Sequence, residues 1–163
     1  MLVKSLFINL VLIGFVAIST LAQSSKNASK FMVATANPVA SKTGYDILKR
    51  GGNAIDAMVG VQLMLNLVEP QSSGIGGGAF LLFYDAERNE VSSFDGRETA
   101  PLKAKGDLFL KEDGSPMKFF DGVVGGRSVG TPGTLKLLEV THKNYGSLPW
   151  EELIEPTIQL AEK

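Results

Sequence analysis

The sequence has no cysteine. That single absence removes disulfides, thiol nucleophiles, and thiolate-bound zinc or iron–sulfur clusters. It has one histidine, His142, so a multi-histidine metal site is excluded as well. Neither sign of charge dominates. Sixteen basic side chains against seventeen acidic ones give a net charge of -1 at pH 7, and no electrostatic case for nucleic acid follows from that balance. No apolar run reaches the roughly 20 residues that a membrane-spanning helix needs. Any catalysis must draw on hydroxyls, amines, carboxylates or backbone amides.

Glycine, by contrast, is abundant: 18 of 163 residues, about 11% where roughly 7% is usual. The hydrophobic share of 44% and charged share of 20% are those of a globular chain, and the length suits one domain.

Residues 1–22 have the layout of a cleavable signal peptide. Lys4 supplies the positive start, residues 6–18 form an apolar core interrupted by Asn9, and Thr20-Leu21-Ala22 places small residues at a cleavage site near Ala22. An uncleaved anchor is the weaker alternative, because the apolar run is only about 13 residues. Export to the periplasm or the medium is therefore expected. Residues 23–30 are small and polar and read as a flexible leader. Asn27-Ala28-Ser29 fits a glycosylation acceptor, but an unused tripeptide is the plainer reading.

From residue 31 the pattern is mixed α/β (α+β). Residues 31–36 read as a first strand ended by Pro38. Residues 40–50 carry apolar positions at helical spacing and stop at Gly51-Gly52. Asn53 is placed as the N-cap of a second helix over 54–68. That helix is apolar nearly all round and too short for a bilayer, so it must be buried between layers. Residues 79–84 and 91–95 form a hairpin turned by 85–90. Residues 101–120 read as loops around one short helix, and Gly122, Gly125 and Gly126 bracket a short extended piece. A helix then runs from Thr131-Pro132-Gly133 to about Asn144, stopped by Gly146. Another starts at Ser147-Leu148-Pro149-Trp150 and is broken or restarted by Pro156.

Four features could carry chemistry. Residues 74–79 satisfy G-x-G-x-x-A, but a helix precedes these glycines and a strand follows, the reverse of what a dinucleotide site requires. The other reading of the glycines is close approach to other backbone or to a substrate. Ser72 and Ser73 are hydroxyls with no base in evidence, so hydrogen bonding to the loop backbone is expected. His142, near a helix C-terminus, reads as a solvated cation facing the helix dipole. Arg97 follows the hairpin in Asp95-Gly96-Arg97-Glu98-Thr99-Ala100-Pro101. Its guanidinium is suited to a carboxylate ligand, although these residues alone favour an internal ion pair with Asp95 or Glu98.

Five stretches occur in order. They are Gly51-Gly52-Asn53-Ala54-Ile55-Asp56-Ala57, then residues 68–78 (Val68 through Gly78), then residues 95–101, Val129-Gly130-Thr131-Pro132-Gly133, and Tyr145-Gly146-Ser147-Leu148-Pro149-Trp150. Together they resemble the gamma-glutamyltranspeptidase (glutathione hydrolase) family over residues 32–163. The resemblance implies part of an N-terminal-nucleophile hydrolase, a four-layer αββα sandwich. In such an enzyme a precursor cleaves itself, and the freed N-terminal threonine attacks a γ-glutamyl amide with its own α-amine as base. The glutamyl group then passes to water or to an amino-acid or peptide acceptor. Arg97 matches the family arginine that binds the substrate α-carboxylate, with Glu98 and Asp95 supporting it. Gly74, Gly76, Gly77 and Gly78 match a structural loop. No metal or organic cofactor is implied. Glutathione and other γ-glutamyl compounds are the implied ligands, and the remainder of the large subunit and the small subunit are the implied partners. Thr99 and Thr131 fall in large-subunit motifs, so no catalytic residue is assigned within these 163, which alone are expected to be inactive. The alternatives are a non-catalytic or partner-binding remnant, and a related acylase acting on β-lactam side chains.

Overall fold

Asn37 and Asn53 start the first two helices in the same way. The Asn37 carboxamide oxygen accepts the Val39 N–H at 2.9 Å, with Pro38 in the first turn, and helix α1 runs over Pro38–Lys49. Pro38 therefore opens a helix and does not merely end what precedes it. The Asn53 carboxamide oxygen accepts the N–H groups of Ile55 and Asp56, and the Asp56 carboxylate returns to the Asn53 N–H at 2.9 Å. This capping box begins α2, Ala54–Val68. In this computed structural model, residues 28–163 are described. The expected signal peptide, the glycosylation tripeptide's Asn27 and most of the polar leader lie outside them.

After α2 come strands β1 (Ala79–Asp85) and β2 (Glu90–Gly96), paired antiparallel from Ala79 opposite Gly96 to Asp85 opposite Glu90. Asn89, at the turn, has a positive φ of 54°, which asparagine tolerates better than most residues. The short helix α3 (Phe119–Val123) and a 3-10 turn (Gly126–Ser128) follow. Within the glycine-bracketed segment expected to be extended, Gly122 and Val123 end α3, Val124 is extended (φ -79°, ψ 124°) and Gly126 opens the 3-10 turn. Helices α4 (Thr134–Tyr145, ending at Gly146) and α5 (Trp150–Ala161) complete the chain. Residues 31–36, expected as a strand, pair with no described strand. A β-prone segment becomes a strand only where a neighbour takes its N–H and C=O groups.

Residues 32–163 form one unit. Its core joins Ile47 of α1, Ala57 and Val59 of α2, Leu137 and Leu138 of α4, and Leu153 of α5. Ala79, Leu81 and Phe94 of the hairpin pack against this cluster, while Phe80, Leu82, Tyr84 and Val91 on the opposite face are exposed. Of the four layers implied by the resemblance, the described residues provide one helix layer and one two-stranded sheet. Helix α2 is buried or half-buried except at Ala54 and Leu67, as its all-round apolar character requires. Among the described residues no helix is long and apolar enough to cross a membrane.

Pro156 does not break α5, which runs through it. Proline has no N–H, so the Glu152 carbonyl loses its partner one turn back. The Arg50 guanidinium, at the end of α1, takes that carbonyl with Nη2 at 2.8 Å. His142 is also not solvated. Its side chain is 17% exposed, its ring lies edge-on to Trp150, and Nε2 donates to the Leu148 carbonyl at 2.9 Å.

The Asp56 carboxylate is fully buried. Besides closing the capping box it accepts the Ser147 N–H at 3.0 Å and, more loosely, the Leu148 N–H at 3.4 Å. Asn53 Nδ2 donates to the Tyr145 carbonyl at 2.6 Å and to Ser147 Oγ at 2.7 Å. The start of α2 is thereby tied to the α4–α5 connection. Replacing Asp56 by Ala strands these partly buried donors. The expected loss is about 2–3 kcal/mol of unfolding free energy, read as a lower urea midpoint at unchanged slope.

The Glu69 carboxylate is held below its ordinary pKa by the Asn37 carboxamide and then by Gln71, with a smaller opposing push from desolvation. Its folded pKa is depressed, so its contribution to stability is present above the unfolded value of about 4.5 and is lost as pH falls through the folded value. Asn37→Ala should move the Glu69 titration upward in carboxyl NMR.

Candidate functional site

Three of the sequence motifs meet at the glycine-loop end of the hairpin. The Gly77 carbonyl accepts the N–H groups of Gly133 and Thr134, each at 3.1 Å. The glycine loop therefore satisfies two of the unpaired donors at the start of α4. Thr99 and Thr131 exchange backbone hydrogen bonds, 2.8 Å from the Thr131 N–H and 3.3 Å from the Thr99 N–H. This places residues 95–101 beside residues 129–133, with the glycine loop against both.

Close packing in the glycine loop is concentrated at Gly78. A Cβ there would sit 2.6 Å from Glu98 Oε2, 2.8 Å from the Arg97 Cα and 2.9 Å from the Glu98 nitrogen. The same restriction holds on the α4 side, where a Cβ at Gly133 would lie 2.0 Å from the Gly96 carbonyl oxygen. Gly77 has only ordinary contacts, and Gly76 has nothing within 4 Å of a Cβ position. Gly74 is similarly open. Among these four glycines the close contacts are thus confined to Gly78, and Gly76 lines a cleft.

Asp95 Oδ1 accepts the backbone N–H of Arg97 at 2.9 Å, which sets the turn after β2. The Arg97 guanidinium itself makes no hydrogen bond or ion pair with a described residue. The internal pair with Asp95 or Glu98, favoured by local residues alone, is not formed. Arg97 is exposed and forms part of the wall between two clefts. One, of about 580 Å3, runs past Gly76, Glu98 and Thr99 to Arg127 and Ser128. The other, of about 400 Å3, lies toward Lys136 and Val140 on α4. An unpaired guanidinium on a braced turn can receive a carboxylate through two parallel hydrogen bonds.

The other polar candidates fall elsewhere. Ser73 Oγ donates to Asn66 Oδ1 and accepts from Gln62 Nε2, both at 2.7 Å, so its hydroxyl is bound to side chains of α2 and not to the loop backbone as expected. His142 belongs to the Asp56 region, 3.7 Å from its Oδ1. Among the described residues no group of three metal-ligating side chains converges. Arg127, which the sequence reading did not single out, follows Gly125-Gly126 and also lines the larger of the two clefts.

The family model for gamma-glutamyltranspeptidase matches residues 40–163. The chain belongs to the gamma-glutamyltranspeptidase family. It is 50% identical over 132 residues to a glutathione hydrolase proenzyme of Bacillus subtilis (strain 168), covering 81% of this chain and 22% of that protein. It is 42% identical over 130 residues to glutathione hydrolase 3 of Arabidopsis thaliana, covering 80% of this chain and 20% of that one. The fold superimposes on the crystal structure of Helicobacter pylori gamma-glutamyltranspeptidase with a TM-score of 0.79 and 37% identity, over 84% of this chain and 39% of that chain. The chain thus spans about a fifth of the length of these curated relatives. The mixed helix–sheet fold is part of the N-terminal-nucleophile hydrolase fold of these transpeptidases.

The two glycines make a paired test. Gly78→Ala pushes a methyl into backbone and should lower stability by about 1–3 kcal/mol, whereas Gly76→Ala should stay within about 0.5 kcal/mol. Thermal midpoints of the two variants check this, and equal midpoints would refute the packing assignment.

Proposed function

We propose that this chain provides the Arg97 side of the γ-glutamyl site of an exported gamma-glutamyltransferase (glutathione hydrolase). Arg97 holds the α-carboxylate of the γ-glutamyl group. The observation that supports this reading most directly is the unpaired Arg97 guanidinium on a turn that Asp95 braces from within, in a chain of this family. Glu98 assists by packing its carboxylate over Gly78, so that the backbone carrying Arg97 cannot slide along the loop.

In this reading the nucleophile is a threonine outside these 163 residues, freed at a new N-terminus by self-cleavage. Its hydroxyl attacks the γ-carbonyl, its α-amine takes the proton and passes it to the leaving nitrogen, and the C–N bond breaks to release the amine and leave the glutamyl ester. Water or the amine of an acceptor then attacks the glutamyl ester and regenerates the threonine. Arg97 contributes by fixing the position of the carbonyl relative to that hydroxyl. Its binding energy is realised far from the bond that breaks. Export rests on residues 1–22, with cleavage near Ala22. Mass spectrometry of the product from its own host reports both the signal cleavage and the two-chain form.

In the complete gene product, Arg97→Ala should lower kcat/KM for a γ-glutamyl anilide by about 100-fold, roughly 3 kcal/mol for an unpaired carboxylate. Arg97→Lys should recover only part, because a lysine gives no two-pronged contact. Residues 23–163 alone serve as the control and should show no turnover. An Arg97→Ala enzyme within threefold of the parent would remove Arg97 from the site.

A further inference from the structure

We infer that Arg127 is a second anion contact, and that the favoured substrates carry another carboxylate beyond the γ-glutamyl amide. This rests on the γ-glutamyl reading above. Arg97 and Arg127 line the same cleft of about 580 Å3, and neither has an ion-pair partner among the described residues. Arg127 uses Nη1 on the Leu108 carbonyl at 2.8 Å, with the Met117 sulfur at 3.4 Å from the same nitrogen. That contact holds the guanidinium in place. Nη2 and Nε keep three N–H donors with no partner among the described residues.

The one carboxylate among the residues that line this cleft, Glu98, forms no ion pair with either arginine. Glu98 packs against the glycine loop, beside Gly78. A ligand that brings a negative group to each guanidinium supplies the partner that neither has among the described residues. If Arg97 takes the α-carboxylate, a monoanionic substrate leaves Arg127 unused. A γ-glutamyl amino acid or peptide, with a free carboxylate on the amine side of the scissile bond, can engage both. Arg127 is then a specificity residue that discriminates between charged and neutral leaving groups.

The test compares γ-glutamylglycine, whose leaving group bears a carboxylate, with γ-glutamyl-p-nitroanilide, whose leaving group is neutral. Both are assayed with the complete gene product. Arg127→Gln keeps a donor for the Leu108 carbonyl and removes the charge, and Arg127→Lys keeps the charge. The expected result is a KM for γ-glutamylglycine raised about tenfold in Arg127→Gln and restored to within threefold in Arg127→Lys. The anilide should stay within twofold in both variants. Equal losses on both substrates mean that Arg127 only supports the fold, and no loss on either means that it does not touch the substrate. Either result overturns the inference and leaves the Arg97 reading standing. If the unsubstituted protein turns over neither compound, the γ-glutamyl reading fails and the inference with it.

Discussion

A single buried carboxylate holds the helix layer in register. Asp56 closes the cap of α2 and at the same time accepts the backbone N–H groups that begin the α4–α5 connection. Removing a carboxylate from water is costly unless donors replace the lost solvent, and here the backbone supplies them. The consequence reaches well past the cap. With α4 positioned by its C-terminal end, its N-terminal end is free to meet the Gly77 carbonyl, and its Leu137 packs where a side chain at Gly96 would stand. The turn that carries Arg97 follows directly after Gly96. The helix layer, the glycine loop and the cationic turn are therefore mechanically continuous.

Around Arg97 the chain relies on close backbone approach more than on side-chain bonding. Gly78, Gly96 and Gly133 each stand where a methyl group would collide with a neighbour. What remains polar and unpaired is the guanidinium itself, together with the free donors of Arg127 across the cleft. Buried or constrained polar groups usually find partners within the fold. Arg97 and Arg127 are exposed and have no ion-pair partner among the described residues. The apolar outer face of the hairpin, with Phe80, Leu82 and Tyr84 exposed, accords with a fold of which the described residues form a part.

Local rules served best where the controlling interaction lies within a few residues. Asn53 as a cap, the extent of α2, the β1–β2 hairpin and the stop at Gly146 were all readable, because capping bonds and side-chain periodicity act over one or two turns. They failed where a distant group decided. Residues 31–36 have strand character but pair with no described strand. Pro156 should break a helix, yet Arg50, more than a hundred residues earlier, satisfies the carbonyl that it orphans. His142 has the position of a solvated helix-end cation, yet Trp150 and the Leu148 carbonyl enclose it. Ser73 looked like a loop hydroxyl, but its partners are on α2.

The order and composition of the motifs determined the family, the mixed helix–sheet class and the choice of Arg97, since each depends on residue types at fixed spacings along the chain. Whether Arg97 is paired, which of the glycines is closely packed, and that Arg127 borders the same cleft were decided only by tertiary structure. These depend on which backbone passes within a few ångströms of which side chain. Sequence spacing does not specify that once segments thirty or more residues apart are brought together.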